Sequence, residues 1–382
     1  MLPGLADPSL DKGGFMKGLS RSSIALLGAV ALTAGLAACG GDDTSGGSGA
    51  SDTVKLRLGY VTTPQHPYGI AVDAFKKEVE TASAGKMTIE NTPNYTGGDS
   101  QLFDDTVGGT IEMAAISTAI WDTKGSNVFQ ALQAPFLITN YGLSQTVLGG
   151  PIGTAMLESA NGPPKFKLVG LGILEGGLRK PVGRDVALKS PADFKGKKIR
   201  APQSKVLSAA LTALGAEPVA VPVGDVFTAL QNGTVDGMEA NYGLIVTNKY
   251  NEVTKFVTAD VTLWPFPAAV VINKAQFDKL SDEQKGWIQA AGKNLAKNSV
   301  DVFLNPAPDA TNFVKVLCDA GMTFAVAGEA GRAALAKAAE AANTELSADT
   351  EVAGFIKQIQ DAKAAAPAPP APAPLPAGCK TA

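Results

Sequence analysis

Apolar and polar residues alternate at Val54, Leu56, Leu58 and Tyr60, a period of two that predicts a first strand with one buried face. A proline-rich turn holding Gln65, His66 and Pro67 follows, and the period then changes. Ile70, Ala71, Ala74, Phe75 and Val79 recur at helical spacing, with Lys76, Lys77, Glu78 and Glu80 on the other side. Apolar runs at 87–90 and 113–117 predict two more strands. Between them, a helix enters at Gly97-Gly98-Asp99, turns Leu102, Phe103 and Val107 inward and stops at Gly108-Gly109. The opening is β-α-β-α-β.

The middle of the chain keeps that rhythm. Strands are expected over 167–173, 198–200, 217–221 and 235–239, and a long one over 261–272 interrupted by Pro265 and Pro267. Ser190-Pro191-Ala192-Asp193 is a capping signal with proline at the first helical position. Helices are expected over 205–214 and 225–232, then from Ser281-Asp282-Glu283-Gln284 to Phe303, after Pro306, and over the Ala-rich 329–346. Strands alternating with helices predict an α/β fold with largely parallel sheets, and 382 residues predict two lobes.

The ends of the chain follow other rules. Lys17 and Arg21 precede an apolar run, 24–38, that is shorter than the about 20 residues of a membrane span and fits a signal-peptide core. It ends Leu36-Ala37-Ala38-Cys39, which resembles a bacterial lipobox and so implies that Cys39 is acylated and becomes the N-terminus. Asp7 and Asp11 suit a positive leader poorly, which points to translation from Met16. Residues 1–38 are read as leader and 39–53 as a flexible Gly/Ser/Asp/Thr linker. Residues 363–382 are read as an extended Ala/Pro-rich tail. Cys318 and Cys379 could pair and staple that tail to the body; two free thiols fit the spacing equally.

Charge nearly cancels, with 33 Lys+Arg against 36 Asp+Glu, so the excess of cations that phosphate recognition needs is missing. A chain with one His, no CxxC and no HExxH lacks the parts of a zinc site or a His-dependent triad. Neither G-x-x-x-x-G-K-[ST] nor G-x-S-x-G occurs, and no cofactor is expected. Gly170, Gly172, Gly176 and Gly177 cluster after a strand, but a dinucleotide fingerprint needs glycine where Glu175 would repel a pyrophosphate. Asp99, Asp104, Asp105 and Glu112 match no calcium loop and read as a solvated helix face. Arg200 ends a strand, and Arg179 follows Gly176-Gly177-Leu178. Ligands of open α/β sheets gather at carboxyl ends of strands, so the two guanidinium groups could clamp one carboxylate. Ordinary surface cations are the competing reading.

A longer resemblance weighs on that choice. Leu171-Gly172-Ile173-Leu174-Glu175-Gly176-Gly177-Leu178-Arg179 and Ser190-Pro191-Ala192-Asp193-Phe194-Lys195-Gly196-Lys197-Lys198-Ile199-Arg200 are followed by Gly224-Asp225-Val226-Phe227-Thr228-Ala229-Leu230-Gln231 and Val235-Asp236-Gly237-Met238-Glu239. In order and spacing these resemble solute-binding subunits of tripartite ATP-independent periplasmic (TRAP) transporters, in their DctP branch and of lipoprotein type. His66-Pro67-Tyr68-Gly69, Pro135-Phe136-Leu137 and Leu280-Ser281-Asp282-Glu283-Gln284 also fit.

The resemblance implies a two-lobed periplasmic-binding-protein-like fold of class II type, with crossing strands and a long interlobe helix. Lobe I is expected at 54–177 plus 266–305, and lobe II at 178–265 plus 306–362. It implies a monomeric extracytoplasmic protein, lipid-anchored to the outer face of the membrane, which captures a small organic acid for TRAP membrane subunits without being an enzyme. Arg200 falls on the family's carboxylate-binding arginine and Arg179 on the second. Ala240 stands where many relatives carry Asn, Asn241 comes one position late, and Val223 replaces an aromatic, so an altered pocket is expected. Asn241, Tyr242, Trp121, Trp264, His66 and Tyr68 are the further candidates, with core packing the competing reading for the aromatics. A sensor feeding a receptor kinase is the alternative function; an extracellular enzyme would need partners that His66 lacks in sequence.

Overall fold

The computed structural model describes residues 53–161, 166–305, 311–368 and 374–382. The leader, Cys39 and the linker as far as residue 52 lie outside the described residues. In chain order the strands are β1 (Val54–Gly59), β2 (Met87–Thr92), β3 (Met113–Ser117), β4 (Leu168–Leu174), β5 (Lys180–Gly183) and β6 (Lys198–Ala201). Then come β7 (Glu217–Ala220), β8 (Gly237–Ala240), β9 (Phe256–Thr258), β10 (Ala268–Asn273), β11 (Thr323–Ala325) and β12 (Lys380–Thr381). They form two sheets, ordered β2-β1-β3-β10-β4 and β12-β11-β9-β5-β8-β6-β7.

The sheets are mixed rather than largely parallel. β10 runs antiparallel to β3 and β4, and β5 antiparallel to β8 and β9. β5 and β10 are the strands by which the chain passes from one sheet to the other, so each enters its sheet against the prevailing direction. The two passages meet: Arg179 N–H donates to Trp264 O and Leu263 N–H to Arg179 O, both at 2.8 Å. The strand expected over 261–272 is thereby divided into a bridge at Trp264 and β10 proper.

The helix Asp282–Leu304 begins with the expected capping box between Ser281 and Gln284 and packs on the helix Pro67–Ala82, on β4 and on the helix Tyr141–Gly149. Its approach to β4 needs glycine, since a Cβ on Gly172 would stand 2.2 Å from Gly292 O. The Ala-rich segment is two helices, Gly328–Ala338 and Glu340–Leu346. Glu340–Leu346 packs on the helix Lys205–Ala213 beside the second sheet, and the helix Thr350–Ala365 on the 3-10 turn Val128–Gln133 and the helix Tyr141–Gly149. The C-terminal helices therefore straddle both halves.

Thr350–Ala365 runs into the segment expected to be extended, and the chain straightens only at Ala366 (φ −75°, ψ 147°), where the following Pro367 disfavours helix. Beyond it, β12 pairs with β11, and Cys318 and Cys379 are disulfide-bonded with Cα atoms 4.8 Å apart. Strands β5, β9 and β11 have three or four residues each, too short for a period to announce them.

Candidate functional site

Arg200 lies in β6 between Val219 of β7 and Met238 of β8, and its Nε donates to Val221 O at 2.9 Å. Arg179 ends the passage from β4 to β5. Gly177 makes the turn at φ +110°, and a Cβ there would stand 2.2 Å from the Asn241 side chain, so glycine is required on both counts. Between the arginines stands Glu239 of β8, with Oε2 3.3 Å from Arg179 Nε and Oε1 3.7 Å from Arg200 Nη1. Both arginines are 4% exposed and Glu239 is fully buried. The Arg179 guanidinium also lies 4.0 Å from the centre of the Phe266 ring, a cation–π contact.

This ion cluster is under-satisfied. Among the described residues, neither Glu239 oxygen, nor Arg179 Nε or Nη1, forms a hydrogen bond of good geometry, although buried polar atoms nearly always do. Burial pushes the Glu239 carboxyl up while Arg179, Arg200 and the nearby Trp264 indole pull it down. Burial likewise lowers Arg200, against the attraction of Glu239.

Across a narrow cavity of about 40 Å³ stands a wall built on the first sheet. His66 caps the helix Pro67–Ala82: its Nδ1 accepts from Tyr68 N–H at 3.1 Å, so Nε2 carries the proton and donates to Asn241 Oδ1 at 3.2 Å. Burial, reinforced by Arg179, lowers its pKa to about 3, and the ring is neutral. Tyr68 turns its ring to the cavity and donates its hydroxyl to Ala115 O at 2.7 Å. Asp99, in the first turn of the helix Gly98–Gly108, accepts Ser117 N–H at Oδ1, 2.8 Å away. Burial raises its pKa to about 6 despite that hydrogen bond and the two arginines. Val61, Ile120, Val223, Leu244 and Phe266 supply apolar surface.

Of the eight residues singled out from sequence as ligand contacts, the cavity gathers Arg200, Arg179, His66 and Tyr68. Asn241 lies just behind. It caps the helix Tyr242–Thr247 by accepting Leu244 N–H, and its Nδ2 donates to Gly176 O at 2.8 Å, so it ties β8 to the passage and to His66. Trp121 is core, fully buried edge-on against Phe103, Phe129 and Phe166 at ring distances of 5.0, 5.2 and 5.6 Å. Trp264 is likewise buried and meets the site from behind, through its backbone pairing with Arg179 and its indole near Glu239. Tyr242 packs on Phe324 with ring centres 5.9 Å apart and does not line the cavity. Asp99 corrects another expectation: it lines the cavity instead of a solvated face. Glu175, expected only as an obstacle to a phosphate, is fully buried in the passage, where it meets Ser144 and accepts Gly177 N–H at 2.7 Å.

Two sheets joined by crossing segments, with a cavity lined by two arginines where these meet, define a two-lobed binding-protein fold. The profile of "Bacterial extracellular solute-binding protein, family 7" (DctP) matches residues 58–349, and the chain belongs to that family of extracytoplasmic solute-binding proteins. It is 32% identical to the 2,3-diketo-L-gulonate-binding periplasmic protein of Escherichia coli over 62% of this chain and 71% of that one. It is 29% identical to the C4-dicarboxylate-binding periplasmic protein of Rhodobacter capsulatus, over 70% and 76%. Among solved structures it resembles the sugar acid binding protein of Advenella mimigardefordensis in complex with galactonate. That match has a TM-score of 0.73 and 28% identity, covering 82% of this chain and 98% of that one. It also resembles a TRAP periplasmic solute-binding protein of Bordetella bronchispeptica whose density is assigned to pantoate, with a TM-score of 0.71, 29% identity and 81% and 99% coverage.

Proposed function

We propose that this protein captures a small organic acid between its lobes and delivers it to a TRAP-type membrane transporter, with Arg200 and Arg179 holding the carboxylate. The observation that carries this reading is the under-satisfied ion cluster: two buried guanidinium groups share one carboxylate, and Arg179 keeps donors unmatched beside the cavity. A carboxylate meets such donors by charge-assisted hydrogen bonds. The relatives named for keto-gulonate and dicarboxylates, and the galactonate complex, support an acid as the ligand class.

Capture is by closure of the lobe built on the first sheet against the lobe built on the second, and ligand favours the closed state by its differential affinity for it. No covalent step is involved and the protein is not an enzyme. The lipobox-like Leu36-Ala37-Ala38-Cys39 supports a lipid anchor at Cys39, from which a monomeric body reaches its membrane partner.

Calorimetric titration with organic acids tests the reading. Removing one buried charged partner costs about 2–5 kcal/mol, so Arg200→Ala weakens binding roughly 30-fold to several thousand-fold. Near-equal titration curves for variant and parent would remove Arg200 from the site.

A further inference from the structure

Glu175 is a fully buried acid that does not line the cavity, so direct contact with an incoming solute does not explain it. It follows β4 and opens the passage that leads to Arg179. Its carboxylate is reached from three elements. Gly177 N–H of its own passage donates to Oε1 at 2.7 Å, Ser144 Oγ of the helix Tyr141–Gly149 donates to Oε2, and the Phe266 amide of the second passage faces the same group. The Glu175 N–H in turn donates to Ser299 Oγ of the helix Asp282–Leu304 at 2.8 Å. Burial pushes its pKa up, while Ser144, the two amides and the charge of Arg179 favour the ionised form. A buried carboxylate ringed by donors acts as a charge-assisted clasp.

What it clasps is the turn that aims Arg179. The two passages touch along their backbones, since a Cβ on Gly176 would stand 2.1 Å from Phe266 O. Gly177, whose N–H the carboxylate holds, takes φ +110°, and the next amide, Leu178 N–H, faces the oxygen of Tyr141 on the same helix as Ser144. Arg179 N–H then pairs with Trp264 O at 2.8 Å. The direction in which the guanidinium leaves the chain is therefore set by a turn held from one side by the helix and from the other by the second passage. We infer that Glu175 is a positioning residue for acid capture: without touching the ligand, it pins both passages to the helix Tyr141–Gly149 and so holds Arg179 toward the cavity. The inference rests on the reading of Arg179 as a carboxylate contact.

Glu175→Gln keeps the volume but turns one acceptor oxygen into an NH2 group facing other donors. The probe is whichever of galactonate, pantoate and succinate titrates the parent protein most tightly in calorimetry. Glu175→Gln is expected to bind it about tenfold more weakly than the parent, as loss of a charge-assisted hydrogen bond allows. The same substitution is then placed in Arg179→Ala and in Arg200→Ala. A residue that works through Arg179 has nothing left to position in the first background, so the further loss there is expected to be less than about twofold, against about tenfold in the second. Ser144→Ala loosens the clasp without removing its charge; it is expected to show the same pattern with a loss of about threefold, and it carries the test if Glu175→Gln does not fold. Unchanged affinity in the folded variants overturns the inference. So does an equal further loss in Arg179→Ala and Arg200→Ala, the mark of a residue that only stabilises the crossing. Either result leaves acid capture standing. Absence of binding of all three acids by the parent overturns acid capture itself, and this inference with it.

Discussion

The two walls of the cavity are built on opposite plans. The second-sheet wall carries permanent charge, Arg179, Arg200 and Glu239, set on strand ends and packed so tightly that hydrogen bonds are left unmade. The first-sheet wall carries hydrogen-bonded groups, of which Asp99 titrates nearest neutrality: His66 is engaged at both ring nitrogens, Tyr68 is bonded to Ala115, and Asp99 is held by one backbone amide. Hydrogen bonds are left unmade on one face, and on the other His66 and Tyr68 are hydrogen-bonded.

The sharpest way to break that contrast is to empty the charged wall of its anion. Glu239→Gln leaves two guanidinium groups side by side, and breaking a buried charge network by one partner costs about 3–5 kcal/mol. Chemical denaturation of the unliganded variant measures that loss. A loss near zero would mean that the arginines are held apart by packing alone.

Next in size is a change remote from both walls. The Cys318–Cys379 disulfide closes a loop of 61 residues at the β11 edge of the second sheet. Replacing both cysteines with serine should lower stability by about 2–4 kcal/mol while acid affinity stays within a factor of two. A large fall in affinity would tie the sheet edge to the cavity and blur the division between walls. Asn241→Ala is expected to be milder and mixed, about 1–3 kcal/mol. It removes a helix cap, the Gly176 contact and the link to His66 at once, so thermal unfolding and affinity should both suffer.

The charged wall was the more legible one in the sequence. Arg200 ends a strand behind a run of lysines and Arg179 follows paired glycines, but those local signals alone fit surface cations, and it was the resemblance that singled the two out; both line the cavity. Glu239 escaped notice as a site residue, although its strand was foreseen. Its role depends on which residues of β5 and β6 lie beside β8, and a register between strands is not encoded in the period of either. Asp99 was misread because three nearby acids looked solvated, yet it opens the helix that follows β2. The carboxyl-end rule that pointed to Arg200 applies there equally. Trp121 marks the limit of that rule: it too follows a strand end, but Phe103, Phe129 and Phe166 offer it an aromatic nest, and the ring turns inward. Side-chain type alone could not tell these outcomes apart.

The smallest expected effect bears on the first-sheet wall and requires opposing signs to be separated. His66 has its pKa lowered from 6.5 to about 3, so the stability it gives is present above 6.5 and is lost as pH falls toward 3, because only the unfolded chain takes up the proton. Asp99 acts oppositely. Its pKa is raised from 3.8 to about 6, so its stabilising contribution is full below 3.8 and is lost as pH rises through 6. Around Asp99 stand the Ser117 amide, the hydroxyl of Tyr68, neutral His66 and the two arginines, none of which changes charge between pH 4 and 7. The parent's profile therefore mixes both residues, and the difference between parent and Asp99→Asn isolates one. Denaturant unfolding of the two proteins without ligand, from pH 4 to 7, should give a steeper loss on acidification in the variant, since the compensating uptake by Asp99 is gone. Parallel profiles would mean that Asp99 titrates alike in the folded and unfolded chain, and is then better solvated than its place against the two arginines implies.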